Sequence, residues 1–220
     1  MIIPTLNAAG ELPATLAAIG DGSALREIVV ADGGSLDTTE AIARAAGALV
    51  VTAPRGRGSQ LAVGGAAASG EWLLFLHADC RLGAGWEAAV KSFIAAPGAS
   101  ARAGYFAFAL DDPDPAARRV ERLVAWRCRR LALPYGDQGL LIARPLYEAV
   151  GGFAAIPLME DVDLVRRLGR GRLVLLPAAV SSSSRRYRAD GYIRRPLRNL
   201  LCLALYFAGL PPHHIARLYG

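Results

Sequence analysis

The sequence predicts an α/β fold in which a mostly parallel central sheet carries helices on both faces. Short apolar runs alternate with segments of helical periodicity through the first half of the chain. This order favours parallel strands joined by right-handed crossovers. Polar residues directly follow several of the runs, where sheets of this kind bind ligands. The expected strands lie near 1–4, 27–31, 48–52 and 72–77, and the expected helices near 11–19, 37–46, 58–68 and 85–95.

The second strand runs into a glycine-rich turn. Gly33 and Gly34 follow Asp32 directly, and two glycines allow a tight turn and a close backbone approach to a ligand. Asp32, at the strand end, is placed to accept hydrogen bonds from a base or a ribose. The alternative is an ordinary strand-to-helix turn, with Ser35 or Asp37 capping the next helix.

The fourth strand stops abruptly on a histidine and a carboxylate. Trp72 to Leu76 is an unbroken apolar run, which is typical of a strand covered on both faces. His77 and Asp79 follow at its carboxyl end. A carboxylate there can hold a divalent cation against a phosphate. A turn aspartate is the alternative, because aspartate is common at turns.

Two further segments place polar side chains beside apolar ones. The strand near 1–4 ends in the polar turn 5–7, and Glu160 and Asp161 open a segment of helical periodicity that reaches Leu168. Carboxylates at a helix N-terminus interact well with the helix dipole, so capping explains this pair. A general base is the alternative interpretation.

The second half of the chain continues the pattern less regularly. Residues 101–110 alternate as a strand, 114–133 have helical periodicity, 140–143 form an apolar run, and a last sheet strand is expected near 173–176. The serine run 181–184 is expected to be a loop. We therefore predict a main domain over 1–180 and a helical tail over 181–220 that packs on it.

Composition favours a compact cytoplasmic enzyme. A chain of 220 residues fits one domain, and its 53% hydrophobic content is too high for disorder. The net charge of +6 suits phosphate-bearing substrates or an anionic membrane surface, whereas no nucleic-acid-binding module is recognisable. Cys80, Cys128 and Cys202 have no metal-site spacing, so a reducing compartment is expected. Strand-like sequence begins at Ile2, so no signal peptide is expected.

Together these segments resemble the inverting, family-2-like glycosyltransferases of the GT-A fold. The matching pieces occur in the family's order and span residues 1 to about 170. The resemblance is closest to a compact bacterial subgroup associated with arsenosugar-type biosynthesis, which carries segments like Arg55–Leu61 and Ser184–Tyr187. The pieces are Ile2–Asn7, Val30–Thr38, Phe75–Asp79, Gly136–Gly139 and Met159–Asp161.

The resemblance implies inverting transfer of a sugar from a UDP- or GDP-sugar to a hydroxyl acceptor, with Mn²⁺ or Mg²⁺ at Asp79. Asp161 would be the general base, and Glu160 beside it would cap the helix or bind the acceptor. Asp137 and Gln138 would line the acceptor side. The residues expected to bind the nucleotide-sugar are Pro4, Thr5, Asn7, Asp32, Gly33, Arg57, Gln60, His77, Ala78 and Asp79.

One position departs from the family pattern. The usual metal motif is Asp-X-Asp, and here it reads His77-Ala78-Asp79. A neutral imidazole keeps a hydrogen-bonding role but adds no negative charge, so weaker metal affinity is expected. The departure leaves open a degenerate binding or scaffold protein of the same fold. A nucleotidyltransferase is a further alternative, although residues 5–12 lack the glycine-rich, basic triphosphate loop that it would need.

The tail combines a basic flank with an apolar run. Arg185 and Arg186 could fold over the diphosphate as a lid. The run 200–210 is far shorter than the about 20 residues that span a bilayer. It therefore predicts a helix that packs on the sheet or forms a homodimer contact. A contact with the inner face of the membrane is the alternative.

Overall fold

One mixed sheet organises the described residues, 1–20 and 24–219, of the computed structural model. Its strands are β1 (Ile2–Thr5), β2 (Val29–Asp32), β3 (Leu49–Thr52), β4 (Trp72–Phe75), β5 (Cys80–Leu82), β6 (Ala103–Leu110), β7 (Leu140–Ala143) and β8 (Leu173–Ser182). They lie in the order β3-β2-β1-β4-β7-β6-β8-β5. The first four strands are parallel to one another, as predicted. β7 and β5 pair antiparallel with their neighbours, and β8 runs parallel to β6.

Helices connect most of the strands. They are α1 (Leu12–Ala17), α2 (Thr39–Ala45), α3 (Arg57–Ala67), α4 (Trp86–Ala95), α5 (Pro115–Leu131), α6 (Arg144–Ala149), α7 (Glu160–Leu168), α8 (Arg185–Asp190), α9 (Arg194–Phe207) and α10 (Pro212–Tyr219). Within the described part of the chain, no helix has the length and apolar character needed to cross a membrane.

The alternation of side chains along the buried strands places cores on both faces of the sheet. Ile3 and Val30 belong to one apolar cluster, whereas their neighbours Ile2 and Val29 belong to another. Adjacent residues of a strand point to opposite faces, so each face needs its own cover of helices. The predicted α/β layering is confirmed.

Helix α3 approaches the sheet unusually closely because it carries glycines on its inner face. A Cβ on Gly64 would lie 2.5 Å from Ile2 Cγ2 of β1. Gly58 instead faces the segment between α6 and α7, where a Cβ would clash with the Ala154 carbonyl oxygen. Only glycine allows this separation. The close contact fixes the first residue of α3, Arg57, at the carboxyl ends of the parallel strands.

Several elements differ from expectation. β8 reaches Ser182, so Ser181 and Ser182 belong to a strand and not to a loop. The short strand β5 was not expected, and it forms because Cys80 pairs with Ser182 across the sheet edge. Helix α6 is a further addition, and it is only six residues long. Helices α8 and α10 lie within the tail that was expected to be helical.

The tail packs against helix α7. Cys202 and Leu203 of α9 share an apolar cluster with Val162 and Val165 of α7, and Ile215 of α10 completes it. Pro211 and Pro212 separate the two tail helices, because a proline is well accommodated in the first turn of a helix but not in its interior. The C-terminal helices therefore lie beside the start of α7.

Crowding at Gly64 generates a stability prediction. We expect Gly64→Ala to lower the free energy of unfolding by roughly 1–3 kcal/mol, the usual cost of overpacking a core. Gly171→Ala is the control, because its Cβ would meet nothing within 4 Å. Urea unfolding of both variants provides the measurement. If Gly64→Ala and the control had the same free energy of unfolding, the helix-propensity gain of about 1 kcal/mol would offset the crowding.

Candidate active site

Two adjoining cavities open at the carboxyl ends of β1, β2 and β4. The outer cleft is lined by Pro4, Thr5, Leu6, Asn7, Ala8, Glu11, Arg55, Gly56, Arg57, Gln60, His77, Ala78, Asp79, Ser183, Arg185 and Arg186. The inner cavity is lined by Arg57, His77, Asp79, Tyr135, Asp137, Leu158, Met159, Asp161, Val162, Ser182, Ser183, Arg186, Tyr187, Arg195, Asn199 and Tyr219. Five residues border both spaces, so the cavities meet at Arg57, His77, Asp79, Ser183 and Arg186.

Asp32 supports the outer cleft from below. Its carboxylate is fully buried and accepts hydrogen bonds from Thr5 Oγ1 (2.9 Å), Ser35 Oγ (2.6 Å) and the backbone N–H groups of Gly34 and Ser35. Burial raises the pKa of Asp32, but these bonds outweigh it and lower the pKa below its usual value. Asp32 is thus an ionised organiser of the turn, and neither its side chain nor Gly33 lines the cleft.

The turn after β1 is tied to the turn after β2. Asn7, in the left-handed region at φ 49°, accepts a hydrogen bond from the Leu36 backbone N–H through its side-chain Oδ1. Its own N–H donates to Ser35 Oγ. Gln60 Nε2 donates to the Thr5 and Ala31 carbonyls from the other side. These bonds shape the cleft edge and occupy much of the hydrogen-bonding ability of the Asn7 and Gln60 side chains.

A buried ion pair joins α3 to α7. Arg57 Nε donates to Glu160 Oε1 at 2.6 Å, and Glu160 is fully buried. Burial lowers the pKa of Arg57, but the charges of Glu160 and Asp161 raise it above its usual value, so the guanidinium stays charged. Met159 precedes the pair at φ 66° and turns the chain into α7. Left-handed backbone at a non-glycine residue is costly and occurs often at functional sites.

Asp161 lies on the inner side of this ion pair. Asp161 Oδ2 accepts from the Gly136 N–H at 2.8 Å, and Oδ1 accepts from the Val162 N–H at 2.7 Å. Both carboxylate oxygens keep further lone pairs, because each can accept two bonds. The contacts fix the carboxylate at the wall of the inner cavity, on the Gly136 side of His77.

His77 sits between the two cavities and is neutral. Burial and the charge of Arg57 lower the pKa of His77 to about 4. Its Nε2 is buried without a hydrogen-bond partner among the described residues, and a Cβ on Gly136 would approach that nitrogen to 2.5 Å. The imidazole therefore packs edge-on against the backbone of the turn that also holds Asp161.

One group of side chains could hold a metal ion. The ligand atoms of His77, Asp79 and Cys80 lie within 4.8 Å of one another. Burial raises the pKa of the Cys80 thiol well above its usual value, and the thiol faces the Asp137 carbonyl at 3.5 Å. A protonated thiol is a poor ligand for a hard cation. The donors that fit Mn²⁺ or Mg²⁺ are thus Asp79, as predicted from the sequence, with the His77 imidazole beside it.

Asp137 and Gln138, which are expected on the acceptor side, have different surroundings. Asp137 lines the inner cavity, and burial together with Asp161 and Asp79 raises the pKa of its carboxyl to about 6, against the opposing charge of Arg127. Gln138 does not line it: the side chain is buried, donates to the Phe106 carbonyl and accepts from Arg127 and Cys128. The prediction for Gln138 needs correction, since it holds the turn from behind.

The tail supplies residues that sequence reasoning did not single out. Tyr187, Arg195, Asn199 and Tyr219 line the inner cavity from α8, α9 and α10. Tyr187 ends the Ser184–Tyr187 segment of the resembling subgroup, but no motif marks the other three, and the grouping depends on how three helices pack. Arg186 borders both cavities, whereas Arg185 lines the outer cleft and pairs with Glu11 at 2.7 Å.

Comparison with solved structures places the fold. The chain is similar to glucosyl-3-phosphoglycerate synthase from Mycobacterium tuberculosis in complex with phosphoglyceric acid, with TM-score 0.58 and 20% identity, covering 96% of this chain and 79% of that one. The complex of that synthase with Mn²⁺ and UDP-glucose gives TM-score 0.58 and 20% identity over 96% and 78%. S. aureus TarS 1–349 gives TM-score 0.61 and 16% identity over 99% and 68%. These similarities confirm the GT-A fold.

Sequence comparison goes further than the fold. No curated protein gives a match. Residues 1–156, well over half of the chain, match the family model described as Glycosyl transferase family 2. The matched range carries β1, the turn after β2, Arg57 and the His77-Ala78-Asp79 segment. Asp161 and the tail lie beyond it. The chain therefore belongs to glycosyl transferase family 2.

Proposed function

We propose that the protein transfers a sugar from a nucleotide-sugar to a hydroxyl acceptor with inversion of the anomeric configuration, assisted by a divalent metal. The meeting of the two cavities carries this proposal. Asp79 and four arginines, Arg55, Arg57, Arg185 and Arg186, line the outer cleft. Asp161 lines the inner cavity and not the outer cleft. A donor and an acceptor bound in these spaces would meet at the residues they share.

In the reaction, the Asp161 carboxylate takes the proton of the acceptor hydroxyl. The acceptor oxygen then forms a bond to the anomeric carbon, while the bond from that carbon to the diphosphate oxygen breaks. The nucleoside diphosphate leaves with the electron pair. Because attack and departure occur on opposite faces of the sugar, a single displacement inverts the configuration. Arg57 and Arg186 stabilise the negative charge that develops on the leaving group.

Asp79 and His77 would hold Mn²⁺ or Mg²⁺. The metal, when bound, supplies positive charge to the leaving diphosphate. Glu160 neutralises part of the charge of Arg57, so the arginines of the cleft do not balance the charge of a diphosphate alone. One carboxylate and one neutral imidazole form a weak set for a hard cation, and diphosphate oxygens and water would complete it.

UDP- or GDP-sugars are the proposed donors. The M. tuberculosis synthase was solved with Mn²⁺ and UDP-glucose, which favours the uridine donor. The loop organised by Asp32 is where the nucleoside would lie, with Pro4, Thr5 and Asn7 on its edge. A link to arsenosugar-type biosynthesis stays a prediction of the sequence. The nucleotidyltransferase and scaffold alternatives both predict that no sugar is transferred.

The lid and the peripheral contacts of the tail are also proposals. Arg186 borders both cavities and has no hydrogen-bond or ion-pair partner among the described residues, so it is placed to act on a diphosphate; Arg185 is engaged with Glu11. Helix α9 exposes Leu197, Leu200 and Leu201. A homodimer contact is the proposed use of that face, and vesicle flotation with sedimentation would distinguish it from membrane contact.

The metal site generates the first functional prediction. In wild type, Mn²⁺ should tighten UDP binding, and Asp79→Ala should abolish that gain because the carboxylate ligand is lost. His77→Asp should tighten Mn²⁺ binding by adding a second carboxylate. Calorimetric titration of UDP with Mn²⁺ and with EDTA measures both effects. An undiminished Mn²⁺ gain in Asp79→Ala would show that the ion binds elsewhere.

The two carboxylates at the start of α7 should separate in their effects. Asp161→Asn preserves shape and removes basicity, so we expect a loss in turnover of roughly 10²-fold or more with nearly normal UDP binding. Glu160→Gln leaves Arg57 without its buried counter-charge, which should lower the melting temperature first. Initial rates, calorimetry and thermal unfolding measure these outcomes. Full turnover in Asp161→Asn would remove it from the base role.

Gly136 tests the geometry between His77 and Asp161. Gly136→Ala would place a Cβ 2.5 Å from His77 Nε2 and 3.6 Å from Asp161 Oδ2, so the imidazole must move. We expect a loss of turnover of roughly 10-fold or more, since small misplacements of reacting groups are costly. Gly10→Ala is the control, because nothing lies within 4 Å of its Cβ. Equal turnover in both variants would contradict the predicted dependence on His77.

A further inference from the structure

We propose that the acceptor is a small polyhydroxylated molecule of monosaccharide size, and that Asn199, Arg195 and Tyr219 of the C-terminal helices select it. The inference rests on the proposed function and adds the class of acceptor and its binding residues. It comes from polar atoms of the inner cavity that the protein itself leaves unpaired.

Three residues that line the inner cavity each carry a buried polar atom with no hydrogen-bond partner among the described residues. The atoms are His77 Nε2, Asp137 Oδ1 and Asn199 Oδ1. They come from three separate parts of the chain: the end of β4, the turn before β7, and helix α9. Buried polar atoms are nearly always paired, so three unpaired atoms around one cavity indicate a polar ligand.

The kind of unpaired atom indicates hydroxyl groups. A carboxylate oxygen and an amide oxygen accept hydrogen bonds, and a neutral imidazole nitrogen either donates or accepts one. A hydroxyl can serve all three, because it donates one bond and accepts two. A phosphate or carboxylate group would leave Asp137 Oδ1 without a donor. A ligand with several hydroxyls satisfies the set, with one more hydroxyl presented to Asp161.

The part of the wall around Arg195 is aromatic, and the charge of this arginine is already paired. Arg195 is 7% exposed, donates to Asp190 Oδ2 at 2.9 Å and to Tyr219 Oη at 3.1 Å, and its guanidinium lies 5.4 Å from the centroid of the Tyr187 ring. Asp190 also pairs with Arg198. Because the charge of Arg195 is already paired, this arginine holds the tyrosines in place and attracts an anion only weakly. Aromatic side chains with a few placed polar groups are typical of small-ligand sites.

The size of the space favours a small acceptor. The inner cavity has a volume of about 100 Å³, against about 310 Å³ for the outer cleft. This is several times the roughly 10–15 Å³ that one water requires, which suits a single sugar or polyol. Helices α8, α9 and α10 wall one side of it, which limits the size of a ligand on that side.

The acceptor class can be tested with a defined panel and Mn²⁺–UDP-glucose or Mn²⁺–GDP-mannose as donor. The polyol arm contains glycerol, erythritol, D-glucose, D-mannose and myo-inositol. The competing arms are polyprenyl phosphate in vesicles and a serine-rich peptide. Product is detected by mass spectrometry. Glycosylation of a polyol is the expected result. Transfer only to the lipid or the peptide, or to no member of the panel while UDP binding persists, overturns the proposal.

The binding residues can be tested with Asn199→Ala against Arg194→Ala, an exposed neighbour on the same helix. We expect Asn199→Ala to raise the acceptor KM roughly 10-fold, the scale of one lost buried hydrogen bond, while donor affinity and melting temperature stay unchanged. Asn199→Ser should restore part of the affinity. An unchanged acceptor KM in Asn199→Ala refutes the role of Asn199.

A set of controls separates this proposal from the proposed function. Slow release of glucose from UDP-glucose, in the absence of acceptor, reports a working donor site. Donor hydrolysis without transfer to a polyol would contradict only the proposed acceptor class. If the wild type neither bound nor hydrolysed the donor, the proposed function itself would be contradicted.

Discussion

The ion pair between the fully buried Glu160 and the partly buried Arg57 is the interaction on which the site depends. It joins the first residue of α3 to the first residue of α7, two elements more than a hundred positions apart in sequence. Loss of Arg57 would leave the Glu160 carboxylate uncompensated in the interior, which is strongly destabilising. The glycines of α3 bring Arg57 to the sheet edge, and the pair in turn fixes Asp161. The position of the predicted base thus follows from packing at Gly58 and Gly64.

The sequence predicted the sheet well because hydrophobic periodicity reports burial directly. β1 to β4, with their helices, were found within a few residues. β1, β2 and β4 are buried apolar runs, and the edge strand β3 is more exposed but still apolar in sequence. The edge strand β5 was not found, because it is three residues long and depends on β8 for its pairing. Periodicity carries no signal for a strand that owes its form to a distant partner.

Most of the turns that the motifs indicated border the two cavities, but not every side chain in them faces a cavity. Asp32 and Gln138 stand in matching motifs, yet the carboxylate of one and the amide of the other are consumed by backbone and side-chain partners. Residue type at a strand end indicates chemistry, whereas the direction of the side chain depends on which neighbours compete for its hydrogen bonds. His77, Asp79 and Asp161 kept their exposure to the cavities because fewer donors reach them.

The tail completes the inner cavity. The residues that match the family end at 156, before the first carboxylate of α7 and before the helices that close the inner cavity. The outer cleft, which we propose for the donor, is lined mostly by residues of the matched range, and Ser183, Arg185 and Arg186 of the tail complete it. Packing of Cys202, Leu203 and Ile215 against α7 brings Asn199 and Tyr219 to the wall of the inner cavity. Because the same packing supports the helix that begins with Glu160 and Asp161, the proposed acceptor residues and the proposed base depend on one set of tail contacts.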